Sequence, residues 1–186
     1  MKNDNQGVTL IEIIIILFII SVLAGGATIG IQNLDAGNAL SSVKRINALL
    51  DYVRVQNMSK DKSYYLLLEE ESGAFYAEVV YDVGTVGITK SILKEKLKLK
   101  KGNITYICNP GTNPVADKSF TVDADVSPSN SLKLSFLKES GALEKIQEPG
   151  APAGSELTYI RRILVSAAGR TNTIYLVAAT GKHYIE

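Results

Sequence analysis

The sequence predicts an α+β protein, in which a long N-terminal helix, transmembrane and then amphipathic, packs on a C-terminal antiparallel β-sheet domain. Three observations lead there. An almost unbroken apolar run extends from Val8 to Ile31. Behind it, apolar residues recur at spacings of three and four as far as Val53. From Ser63 onward, short β-prone stretches alternate with Gly-, Pro- and Asn-rich turns.

Residues 1–7 are a short polar leader that ends in Gly7. The segment 8–31, as a helix, would be about 36 Å long, enough to cross a hydrocarbon core of ~30 Å with some tilt. Its isoleucines (Ile13 to Ile16, Ile19, Ile20) are β-branched and would weaken a helix in water. In lipid, the backbone hydrogen bonds must close within the segment, so helix is favoured. One carboxylate, Glu12, interrupts the run. A charge at the centre of a transmembrane helix costs roughly 2.5–3.5 kcal/mol on insertion scales, so Glu12 calls for a partner. Gly25, Gly26 and Gly30 each weaken a helix by about 1 kcal/mol relative to alanine, which makes this stretch a weak point. Gly26 and Gly30 also fit the small-xxx-small spacing of closely packed bilayer helices.

Two plainer readings of the N-terminus compete. A secretory signal peptide would be cut after Ala24 or Ala27, but its basic region would hold only Lys2 against Asp4, and Glu12 would lie in its apolar core. A simple single-pass anchor needs no carboxylate. Neither accounts for a glycine placed directly before the run.

In the segment 32–60, Ala36, Leu40, Val43, Ile46, Leu50 and Val53 mark one helical face, and Lys44, Arg45, Asn47, Asp51 and Arg54 fill the other positions. One helix is expected from Val8 to about Ser59. The head, 61–186, opens with a hairpin of Tyr64–Glu69 and Ala74–Tyr81 around Glu70-Glu71-Ser72-Gly73. Strands follow at Ile92–Lys100, Ile104–Cys108, Phe120–Val122 and Leu132–Leu137, with loops over Asn109–Lys118 and Glu148–Ser155. Ile160–Ser166, Thr173–Ala178 and Lys182–Ile185 close the chain as an antiparallel meander with turns at Gly169-Arg170 and Thr180-Gly181. These strands make one sheet or two small ones.

The 186 residues suit one globular domain plus one long element, and a net charge of +1 gives no argument for a polyanionic partner. The single cysteine, Cys108, allows no internal disulfide and reads as a buried small hydrophobe. Lys94, Lys96, Lys98, Lys100 and Lys101 form a basic patch, read first as a solvated or edge strand protected from aggregation. A nucleic-acid contact there lacks the interleaved aromatics that stack on bases. Asp117, Asp123 and Asp125 lack the spacing and glycine of a calcium loop. His183 is read as structural or surface, and Arg161, Arg162 and Arg170 as surface or interface charges. No phosphate loop, metal cluster or catalytic carboxylate pair stands out, so no cofactor is expected and the role is expected to be assembly rather than catalysis.

Gly7, then Val8-Thr9-Leu10-Ile11-Glu12, then the apolar run together resemble the type IV prepilin family, which includes type IV pilins and the pseudopilins of type II secretion and competence systems. The resemblance implies a pilin fold and cleavage by a prepilin peptidase between Gly7 and Val8, with N-methylation of Val8. It implies that Thr9 and Glu12 act in assembly, Glu12 neutralising the new amino terminus of a neighbouring subunit. Gly25, Gly26 and Gly30 would be the region that melts in the filament. The family usually has phenylalanine where Val8 stands, and many members carry a proline near Ile29. The implied partners are other pilin or pseudopilin subunits, met through the N-terminal helix, and membrane lipid before assembly. The implied place is the cytoplasmic membrane, single-pass with the N-terminus inside, followed by a surface or periplasmic filament. The order of head elements resembles minor pilins and minor pseudopilins. Alternatives are a major pilin, a membrane-tethered extracytoplasmic binding domain that does not polymerise, and an exported enzyme cut near Ala24.

Overall fold

The computed structural model describes residues 10–84, 88–99, 102–109, 117–123, 131–148 and 157–186, with only the backbone described for 24–33. The chain divides into two compact units, Met1–Leu34 and Asp35–Glu186. One helix, α1 (Leu10–Ser59), is shared between them. In the first unit it exposes apolar side chains at every described position from Leu10 to Leu23 except Glu12 and Ser21.

The second unit is the head. Its strands are β1 (Tyr64–Glu71), β2 (Ala74–Asp82), β3 (Thr89–Lys96), β4 (Gly102–Asn109), β5 (Lys118–Thr121), β6 (Leu132–Ser135), β7 (Tyr159–Ala167), β8 (Arg170–Val177) and β9 (Lys182–Ile185). They form two antiparallel sheets, one ordered β3-β2-β1-β6 and one ordered β5-β4-β7-β8-β9. Period-2 alternation explains which residues turn inward. Leu66 and Leu68, Ala77 and Val79, Ile104 and Cys108, Ile163 and Val165, and Ile174 and Leu176 all point into one apolar cluster. The same cluster takes in Ala39, Val43, Ile46, Leu50 and Val53 of α1. The helix face shifts from its expected line at one place. Ala39 is fully buried, whereas Leu40 is 38% exposed. Ala39 stands four residues before Val43 and seven before Ile46, so it shares their helical face.

Several strand boundaries move for identifiable reasons. The β1–β2 hairpin turns on Ser72 and Gly73, both at positive φ (52° and 74°), the pattern of a type I′ turn. The β7–β8 turn falls on Ala168-Gly169, one residue earlier than expected, because the same geometry needs two adjacent positive-φ residues (51° and 74°). β3 begins at Thr89 and stops at Lys96, and Leu97 and Leu99 then turn into the core outside the strand.

The helix ends where Asn57 clasps the start of β1. The buried Asn57 side chain donates from Nδ2 to the Tyr64 carbonyl at 2.7 Å and accepts the Tyr64 N–H on Oδ1 at 2.7 Å. An unpaired buried backbone group costs about 1–3 kcal/mol, so Asn57→Ala is expected to destabilise the head by about 2 kcal/mol. Denaturant unfolding of the full chain in detergent checks this; a loss under ~0.5 kcal/mol would mean that the clasp is energetically idle.

Candidate processing and assembly site

The residues expected to be cut and modified, Gly7 and Val8, lie outside the described residues, as does Thr9. Glu12 is described. It is the acidic residue in the first turn of α1, which begins at the first described residue. Around it, Leu10, Ile11 and Ile13 to Ile16 are exposed, and Leu17, Phe18, Ile19, Ile20, Val22 and Leu23 continue the apolar surface. Ser21 donates its hydroxyl to the Leu17 carbonyl at 2.7 Å, which satisfies the hydroxyl within the helix itself. The backbone remains helical through Gly25, Gly26 and Gly30. A helix that is apolar all round must be covered by lipid or protein.

Among the described residues, no helix is long and apolar enough to cross a membrane. The stretch with described side chains, Leu10–Leu23, is about 21 Å long, short of a ~30 Å hydrocarbon core. The expected span to Ile31 continues through residues whose side chains are not described.

The head holds groups that the sequence read as unconnected. Arg54 reaches two turns at once, donating from Nε to the Gly141 carbonyl at 3.1 Å and from Nη2 to the Thr180 carbonyl at 3.0 Å. Gly141 N–H closes on the Leu137 carbonyl and Gly181 N–H on the Val177 carbonyl, each at 2.8 Å, so both turns are i→i+4 loops ending in a positive-φ glycine. His183 packs with 2% of its side chain exposed. Its Nδ1 is 3.2 Å from the Gly181 carbonyl, and its Nε2 is 3.2 Å from the Asn47 carbonyl and from the Asp51 carboxylate. Its role is structural, tying β9 to α1.

The basic patch is divided by the fold. β3 is an edge strand, as expected, but Lys94 bonds Glu69 at 2.8 Å and Glu71 at 2.5 Å and lies over the Tyr76 ring. Those carboxylates, Glu69 first, hold its ammonium above the usual lysine range. Arg45 of α1 pairs with Glu95. Lys96 and Lys98 line a groove with Lys44, while Lys100 and Lys101 lie outside the described residues. Of the three aspartates considered for calcium, Asp117 instead pairs with Arg162 at 2.7 Å and Arg161 at 3.5 Å, and Asp125 lies outside the described residues. Cys108 is fully buried, and burial pushes its thiol up to about 11, far from thiolate chemistry at neutral pH.

A head closed on its own core and a helix with an uncovered apolar surface together define a class: a subunit that must be anchored in lipid or assembled with others. Residues 2–28 carry the prokaryotic N-terminal methylation motif, the type IV prepilin signature. The motif supports a type IV pilin-like precursor, and it implies processing by prepilin peptidase and assembly with other pilins. None of the curated proteins and none of the solved structures matches the chain.

Proposed function

We propose that the chain is a minor pilin or pseudopilin, a non-catalytic subunit of a type IV pilus or related filament that serves secretion, DNA uptake, adhesion or motility. The observation that carries this reading is the coincidence of the methylation motif at residues 2–28 with an apolar, exposed helix holding a single carboxylate at Glu12. Segment 8–31 first spans the cytoplasmic membrane with the N-terminus inside. After cleavage behind Gly7, the same surface packs against neighbouring subunits, and Glu12 receives the amino terminus of one of them. That pairing removes the cost of a carboxylate in an apolar surround. Melting at Gly25, Gly26 and Gly30 would let the helix lengthen within the filament.

Mass spectrometry of the mature N-terminus tests the pathway. The expected first residue is Val8, methylated on its nitrogen. A mature protein that begins near Gly25 or Thr28 would remove the prepilin reading in favour of an exported protein. Trace abundance in sheared filaments is expected of a minor subunit; dominance there would make it a major pilin.

A further inference from the structure

The outer face of the β7–β8–β9 meander carries an arrangement that the assembly reading does not use. Strand register places Ile107, Arg162, Tyr175 and Tyr184 in one row across β4, β7, β8 and β9. Ile163, Val165, Ile174 and Leu176 point the other way, into the core. The Tyr175 and Tyr184 rings are nearly parallel, at 11° with centroids 5.2 Å apart. Tyr184 stands on the edge strand with 54% of its surface exposed. Beside the rings, Arg161 and Arg162 converge on Asp117, which also accepts from Asn109 Nδ2 at 3.2 Å. Asp117, Arg161, Arg162, Tyr175 and Tyr184 line a cavity of about 470 Å³, within the size range of small-ligand sites.

The chemistry of the lining selects among ligands. An aromatic wall offers a flat apolar face, and the guanidinium and carboxylate groups next to it offer donors and acceptors. Both arginines of the lining face its one carboxylate, Asp117. A nucleic acid would need surplus cations to replace its counterions, and both guanidiniums here already face a carboxylate. A pyranose ring has the matching surface, with axial C–H groups on one face and hydroxyls around its rim.

We propose that this cavity binds a neutral glycan, one or two pyranose units of a polysaccharide, stacked on Tyr184 and hydrogen-bonded by Arg161 and Asp117. The site lies wholly within the head, so it serves a filament subunit and a tethered monomer equally, and it does not depend on cleavage behind Gly7.

The test is saturation-transfer NMR and titration of the full chain in detergent micelles with chitotetraose, cellotetraose and maltotetraose. At least one is expected to bind. Tyr184→Ala is expected to weaken it about tenfold or more through loss of the ring face, while Tyr184→Phe stays within about threefold. Arg161 has a largely exposed side chain and only a long contact to Asp117, so Arg161→Gln should fold normally and still weaken binding. The proposal is overturned if none of the three sugars shows transfer, or if binding survives in both Tyr184→Ala and Arg161→Gln. Salt-sensitive binding of oligo-dT at this face in place of sugar would overturn it as well.

Discussion

Gly181→Ala is expected to destabilise the head by about 3 kcal/mol or more. Two costs coincide there. Gly181 has φ +64°, where a Cβ costs an L-residue roughly 1–2 kcal/mol. A Cβ at this position would also overlap the Gly141 carbonyl oxygen and press on the Phe136 ring. That carbonyl is one of the two that Arg54 holds, so relief of the overlap pulls the β8–β9 turn from the helix or breaks the Arg54 bonds. Gly169→Ala is the matched control. It has φ +74° but open space around the missing Cβ, so the backbone term acts alone, at about 1–2 kcal/mol. Thermal unfolding separates them, since 1 kcal/mol moves the midpoint of a head this size by about 2–4 °C. Equal shifts in the two variants would refute the packed-turn argument.

Glu12→Ala is expected to leave processing intact and abolish entry into filaments. On the proposed pathway cleavage and methylation act at Gly7 and Val8, whereas Glu12 is a separate position in α1. Removing it raises the hydrophobicity of a surface that is already apolar, so membrane residence should not suffer. What is lost is the discrimination among registers, because a buried amine from a neighbour then has no counter-charge. Immunoblots of sheared filaments and membranes read both arms: mature protein retained in membranes, none in filaments. Glu12→Asp, which keeps the charge on a shorter arm, should recover part of the assembly. Wild-type incorporation of Glu12→Ala would end the pairing hypothesis.

The methylation motif and the N-terminal helix are the most legible features of this chain, because the motif is a linear pattern and the apolar run and helical periodicity are local signals. The hairpins were legible for a related reason: turn chemistry at Ser72-Gly73 and strand alternation are local. What the sequence concealed was long-range. Arg54 looked like one more polar position on a helix, yet its bonds close on carbonyls 87 and 126 residues away. Lys94 looked like one tooth of a basic comb, but β2 and β1 bring glutamates beneath it. Leu40 fitted a spacing of three or four as well as Ala39 did, and only the facing sheets decide between them. The row of Arg162, Tyr175 and Tyr184 is invisible until three registers are known. In the sequence each arginine stands alone, as a surface or interface charge.

Cys108 carries a consequence for where this head can mature. The chain has one cysteine, and its sulfur is sealed under both sheets in a form that resists ionisation. No covalent staple within these residues has to be made after export, and the thiol offers no handle to oxidants or to thiol-exchange enzymes. The head is therefore indifferent to redox potential: the same hydrophobic cluster stabilises it in a reducing cytosol, at the membrane face and in oxygenated surroundings. Its folding makes no demand on an oxidising compartment, on whichever side of a membrane it takes place.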